Sequence, residues 1–433
     1  MNNITEIAEM VTEAIKADEG IGDLTQIEQA TRQVMQQIGR QVITHILAES
    51  QPSYAEPYID CDCGEKSKYV RQRTAQLHTM FGQMQVKRAY YLCKSCRQGY
   101  FPLDQKLGLR PNALSAELEQ LVALTGVQIP FQKGRNLFES LTLVAVSDQS
   151  VSKATQQMGK IVTEKEAILK EHSTDFAYLN EQKQTTRAPL RVYGAIDAGK
   201  VHIRDGENGS GWRDFKVGAW FEARGKPPTS PDGEWQIQAE NINYYTDICP
   251  ASDFSSLVWA TGVEQHVNLA QELIILGDGA EWIWNIVTEN FPDAIQILDW
   301  FHASEHLMPV AQAAFSDEQT RSQWVSQMRQ LMWDGDTDKL IATCIKLAET
   351  NAHDDIRKAA NYFREHKARM RYAYFRSQGY QIGSGTIESA AKQIGLMRMK
   401  VPGARWNEES ARLVAKARAT FLSNRWHELP LAV

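Results

Sequence analysis

Three short apolar runs constrain this chain more than any other feature of its 433 residues. Leu190 to Ile196 leads into Asp197, Leu273 to Leu276 leads into Gly277-Asp278-Gly279, and Ala294 to Leu298 leads into Asp299. Runs this short and this apolar read as strands covered on both faces rather than as helices. Phe215 to Phe221 and Ile242 to Ile248 read as two further strands, and helices are expected near Phe254–Val263 and Trp282–Glu289. An aspartate just beyond a strand of an α/β sheet points into the crevice where such sheets place their sites.

Three strands, a helix, a strand, a helix and a strand form an α/β order compatible with an RNase H-like sheet. Residues 303–380 then lose the strand pattern and read as helices throughout, with Trp324, Met328, Leu331, Met332 and Trp333 at apolar positions. Gly379 and Gly383-Ser384-Gly385-Thr386 break that block, and a new helix begins that carries Glu388. Upstream, residues 170–190 are polar and read as a linker.

The N-terminal part has a different texture. Ile4, Ile7, Val11 and Ile15, then Ile27, Val34, Ile38 and Val42, recur at helical spacing, interrupted at Gly20-Ile21-Gly22. Cys61-Asp62-Cys63-Gly64 and Cys93-Lys94-Ser95-Cys96 flank an alternating stretch from Val70 to Tyr91, the layout of a zinc ribbon. Four thiolates suit tetrahedral Zn²⁺, which would replace the core that so small a unit lacks. The first pair is C-x-C, one residue shorter than the usual metal-binding turn. Helices follow near Ser115–Thr125 and Phe131–Leu141. A third starts at the cap Ser147-Asp148 and runs through Val151, Thr155, Met158 and Ile161, a layout compatible with helix-turn-helix geometry.

Six cysteines are too few for a disulfide framework, and their pairing points to metal in a reducing compartment. No run of about 18 apolar residues suggests a membrane span, and the opening residues lack a secretory pattern. A cytoplasmic protein is expected. The net charge of −6 is unusual for a DNA binder, but residues 1–60 hold three Lys/Arg against ten Asp/Glu. The remainder is close to neutral and carries three basic clusters: Lys87 to Arg110, Arg357 to Arg376, and Arg398 to Arg418.

Phosphodiester chemistry needs no covalent protein nucleophile when converging carboxylates hold two divalent metals. Asp197, Asp278 and Glu388 are the carboxylates in settings that suit this, with Gly199, Gly277 and Gly279 expected to leave room for metal and phosphate. Glu388 alone would read as a charge complementing a helix N-terminus. Asp299 is either a ligand in place of Asp278 or a residue that positions one, and His302 lies one turn further on. His302 and His306 also have metal-ligand spacing, although a positioning or DNA-contacting role is the simpler expectation.

The segments Leu276–Trp284, Leu298–Leu307, Gly383–Ser389 and Arg398-Met399-Lys400 with Gly403 and Trp406 resemble the bacterial insertion-sequence transposases of the ISKra group, within the Mutator-like superfamily. The resemblance spans roughly residues 55–425. The family pattern is D, D, a C/D-x-x-H motif and E, with an all-helical insertion before the Glu. It implies a DDE transposase with Asp197, Asp278 and Glu388 as the triad, Asp299 and His302 as the accessory motif, two Mg²⁺ (or Mn²⁺) ions and a structural Zn²⁺ on Cys61, Cys63, Cys93 and Cys96. Cleavage at element ends and strand transfer of the 3′-OH into target DNA would follow. Arg398, Lys400 and Arg405 would contact phosphate. The partners would be double-stranded DNA (terminal inverted repeats and target) and further copies of the chain, near the nucleoid and not at a membrane.

The implied organisation is N-terminal helices (1–52), a zinc-ribbon-like module (53–110), a helical DNA-binding region (111–170), the first part of an RNase H-like core (188–302), the helical insertion (303–380) and core C-terminal helices (381–426). The alternatives are a catalytically silent, transposase-derived DNA-binding regulator and a metal nuclease without strand transfer.

Overall fold

A computed structural model describes residues 2–16, 22–50, 56–205, 209–233, 236–383 and 385–430. Gly20 and Ile21 of the expected helix break, and Ser384 of the glycine-rich approach to Glu388, lie outside the described residues. The fold is mixed α/β, and the chain divides into two compact units, with the boundary after Thr155.

The first unit begins with helices α1 (Asn2–Lys16) and α2 (Leu24–Glu49), the latter capped by Asp23, whose carboxylate accepts from the Gln26 N–H at 2.9 Å. Strands β1 (Tyr58–Asp60), β2 (Lys66–Thr79), β3 (Gly82–Cys93) and β4 (Gly99–Tyr100) pair in that order as an antiparallel sheet. Alternation turns Ala75, Leu77, Met84 and Val86 inward, where they pack on Ile43 and Leu47 of α2 and on Leu103 and Leu109. The hairpin therefore has an apolar core at its turn end, which the sequence alone did not suggest. Four helices follow: α3 (Pro102–Leu107), α4 (Ala116–Gln128), α5 (Phe131–Thr142) and α6 (Asp148–His172). Gly126 of α4 has no room for a Cβ, which would lie 2.0 Å from the Thr155 hydroxyl, so α4 and α6 cross at close range. The unit boundary falls within α6.

In the second unit the polar stretch expected as a linker carries helix α7 (Phe176–Thr185). Its Gln182 is buried and donates to the Val263 carbonyl at 2.9 Å, and the Trp259 indole donates to the carbonyl of buried Ser173 at 2.9 Å, so satisfied polar contacts fix a segment that composition alone reads as loose. Strands β5 (Arg191–Asp205), β6 (Gly211–Arg224) and β7 (Gln238–Asp247) form an antiparallel meander. Helix α8 (Ala251–Glu264) leads to β8 (Glu272–Gly277), and α9 (Glu281–Asn290) leads to β9 (Ile295–Leu298), both parallel to their neighbours. The order is β7-β6-β5-β8-β9, with a short β10 (Trp406–Asn407) pairing parallel to the far end of β5. β5 does not end at Asp197 as expected. It runs on to Asp205, because β6 continues to pair with it as far as Ile203 opposite Gly211.

Helices α10 (Trp300–Glu305), α11 (Leu307–Ala314), α12 (Glu318–Asp334), α13 (Thr337–Thr350), α14 (Asp354–Glu365) and α15 (Tyr372–Ser377) form the helical block. It is anchored to the sheet through Trp300, fully buried edge-on to Trp333 and Tyr372. The Tyr372 hydroxyl donates to the Leu298 carbonyl at 3.1 Å. The chain returns through α16 (Gly385–Ala391), which packs on β5 and β6, and continues as a π-helical segment, Lys392–Met399. The last helix is α17 (Glu408–Leu422).

α17 carries a buried cation, Lys416. Its amine reaches Asp247 at the end of β7, at 2.7 Å, and Glu166 of α6. Burial alone would depress the amine, but the Glu166 and Asp247 carboxylates outweigh it and keep Lys416 protonated. Lys416→Met should leave the buried Glu166 without its paired cation and Asp247 with Arg412 alone, and destabilise the chain by about 3–5 kcal/mol. Denaturant unfolding measures this, and a loss under about 1 kcal/mol would show that the pair is not structurally required.

Candidate functional site

Parallel pairing brings the three strand-linked aspartates to one level. Ile196 of β5 sits opposite Gly277 of β8, and Gly277 sits opposite Leu298 of β9. The next residue along each chain is Asp197, Asp278 and Asp299. Beyond that level β8 and β9 stop, and among the described residues no strand pairs with that edge of β5 until β10 joins at Ile203. Helix α16 and the π-helical segment pack against β5 there, which brings Glu388 to the opening. The result is an open cleft of about 370 Å³ lined by Asp197, His302, Glu305, Glu388, Lys392 and Lys400, among others.

Asp299 is completely buried and caps α10. Its Oδ1 accepts from the His302 backbone N–H at 2.7 Å and pairs with the ring Nδ1 at 3.0 Å. The hydrogen bond to Asp299 outweighs burial and raises His302 to about 9, so the ring is an imidazolium at neutral pH. The ligand atoms of Asp299, His302 and Glu388 all lie within 4.8 Å of one another. Burial pushes Asp197 up to about 6, and the charges of Asp278 and Glu388 add to the rise. Burial raises Glu388 too, with the Asp299 charge beside it. Carboxylates that crowd one another's charge in a cleft are the electrostatic setting that a divalent cation relieves. Asp278 accepts from the Ala280 N–H at 2.8 Å and is half-buried.

Several expectations change here. The glycines do not hold space open for a ligand: a Cβ on Gly199 would lie 2.3 Å from the Phe215 ring, and one on Gly279 would lie 2.0 Å from Tyr362. His306 stacks on Tyr362 at 3.9 Å instead of facing a metal with His302. Arg398 is not a surface phosphate contact. It is 1% exposed and packs over Trp406, and burial, with Arg418 beside it, pushes its guanidinium down to about 10. Of the three candidate contacts, Lys400 and Arg405 are exposed. Most of that basic cluster is internal: Arg412 pairs with Asp247 at 2.8 Å, Lys416 is buried, and Arg418 donates to the Gln393 carbonyl. Glu305 and Lys392 are cleft residues that the sequence reading passed over. Glu305 had a signal, since Asp299, His302 and Glu305 recur every third residue on one helical face.

The second candidate site lies in the other unit, where the four paired cysteines meet. Sulfur separations are 3.4 Å for Cys61–Cys63, 3.6 Å for Cys61–Cys96 and 3.7 Å for Cys63–Cys93. Four sulfurs 2.3 Å from a tetrahedral zinc ion lie about 3.8 Å apart, so the cluster fits a structural metal such as zinc. The short C-x-C pair works because Gly64, at φ +85°, closes a tight turn in which its N–H donates to the Cys61 carbonyl at 2.9 Å. The Tyr100 hydroxyl, 3.1 Å from Cys61, holds that thiol down at about 6, which favours the ligating thiolate.

Two outcomes are expected. The purified protein should carry about one zinc per chain by elemental analysis, and Cys93→Ser should lose it and lower the melting temperature of the hairpin. The His302–Asp299 pair should stabilise the fold fully below pH 6.5, the ring's ordinary value, and lose that contribution as pH rises to about 9. Melting temperature against pH should fall across this window in the wild type and stay flatter in His302→Gln. No family model matches this chain and no curated protein matches it, so its functional reading rests on the geometry of these two sites.

Proposed function

We propose that the chain is a DDE-type DNA transposase whose second unit is an RNase H-like catalytic core interrupted by the helical block. The observation that carries the reading is the shared level of Asp197, Asp278 and Asp299 at three adjacent parallel strands, with Glu388 brought from beyond that block to the cleft that Asp197 lines. The central placement of β5, between an antiparallel meander and two parallel strands reached through helices, supports the core assignment. The residues fit divalent metals chemically, because the hard carboxylate oxygens of Asp197, Glu305 and Glu388 line one cleft, where burial first, and neighbouring carboxylate charge second, raises the proton affinity of Asp197 and Glu388.

Asp197, Asp278 and Glu388 would hold the ions, with Asp299 and His302 beside them. Bound there, two Mg²⁺ or Mn²⁺ ions would supply activation of the attacking oxygen and charge stabilisation of the leaving one. The chain's own part is positional. Asp299 fixes the start of α10 and orients His302. The His302 imidazolium offsets part of the carboxylate charge, and Lys392, Lys400 and Arg405 offer cations to DNA phosphates. Exposed Lys94 and Arg97 beside the cysteine cluster, with exposed Lys87 further along β3, suit backbone contact with element ends. Strand transfer joins two ends, so at least two copies of the chain would act together.

The test is a Mg²⁺-dependent assay on DNA carrying the element's terminal repeats, scored for cut and joined products. Asp278→Asn should reduce both at least about a thousandfold, since metal-borne charge stabilisation is worth several kcal/mol. DNA binding without cutting under any divalent metal would overturn the enzyme reading in favour of a DNA-binding regulator. Cutting without joining would reduce it to a nuclease.

A further inference from the structure

The outer halves of β5 and β6 form a ribbon beyond the end of β8, and it carries an aromatic side chain that the fold does not bury. Trp212 is 58% exposed, whereas Trp220 and Trp300 of the same unit are almost wholly covered. Trp212 lies opposite His202 across the ribbon, with ring centroids 5.4 Å apart at 85°. The Lys400 amine lies 5.8 Å from the indole centroid, and the same lysine lines the cleft with Asp197 and Glu388. Leu396, also part of the cleft lining, is 55% exposed, and its neighbour Met397 is 57% exposed. Lys400 and Leu396 thus border the cleft of Asp197 and Glu388, and the exposed indole of Trp212 lies beside Lys400.

These groups match a ligand that has a π-face and a negative charge next to each other, which is the chemistry of a nucleotide. A base inside a duplex hides both faces in the stack, so the matching base is unpaired or pushed out of the stack. We propose that Trp212 is a stacking platform for an unpaired base beside the phosphate held in the cleft, with Lys400 on the phosphate between them and Leu396 covering the base edge. The proposal rests on the reading of the cleft as a DNA-processing site, and it adds a preference for strand ends or distorted duplex over intact duplex.

Fluorescence anisotropy would compare a labelled 20-bp duplex carrying a 3′ overhang of five thymidines with the same duplex blunt, using Ca²⁺ in place of Mg²⁺. The full-length wild type should bind the overhang form more tightly. Trp212→Leu, which keeps apolar bulk on the ribbon but lacks the π-face, should lose about tenfold for the overhang form and leave blunt binding unchanged. Trp212→Phe should retain most of the preference. Equal binding of the two DNAs by the wild type would overturn the platform, as would parallel losses on both DNAs in Trp212→Leu. The Mg²⁺ cutting assay separates the two ideas. Cutting without any overhang preference sinks the platform alone, and an overhang preference lost in Trp212→Leu without cutting sinks the transposase reading alone.

Discussion

The parallel register of β5, β8 and β9 is the constraint on which the rest of the second unit depends. Neighbouring strands lie about 4.8 Å apart, so aspartates at the same register level are forced into electrostatic contact. A slip of one residue in either pairing would turn an aspartate to the opposite face and break up the group. The apolar residues behind the aspartates hold the register. Ile274, Ile275, Leu276, Ile297 and Leu298 are fully buried, and a slip would place carboxylates in their positions. The stability of the sheet and the crowding of charge at its edge therefore come from the same residues.

The helical block is bound to this arrangement at its first residue. Asp299 ends one strand connection and caps the helix that begins the block, so a single buried carboxylate both orders α10 and orients His302. Trp300 then buries itself against Trp333 and Tyr372, and the Trp300 N–H donates to the Ile382 carbonyl at 2.9 Å. That contact ties the entrance of the block to its exit. Glu388 follows six residues after Ile382 in the sequence, and this is how an acid so far from Asp197 along the chain reaches the same cleft.

Much of this was legible along the chain. The apolar runs before Asp197, Asp278 and Asp299 are strands, the block after Asp299 is helical, and the two cysteine pairs meet at one end of a hairpin. The misreadings share a cause. Gly199 and Gly279 resemble glycines that admit a ligand, yet Phe215 and Tyr362, distant in sequence, occupy the space. Arg398 and Lys416 resemble surface cations, yet they face Trp406 and the Glu166–Asp247 pair. The polar stretch before β5 resembles a linker because its tertiary partners, the Val263 carbonyl and the Trp259 indole, have no local signature.

The sequence by itself determined which segments are strands and helices, and which acids and cysteines stand at their ends. Periodicity and terminal residues are local properties, and the physics that reads them acts within a turn or a pleat. Only the tertiary structure decided which of those charges meet. Strand register, the crossing of α16 over β5 and the burial of Arg398 depend on neighbours tens or hundreds of residues away. The crowding at Asp197, the imidazolium at His302 and the exposed indole beside Lys400 therefore exist only once the chain has packed.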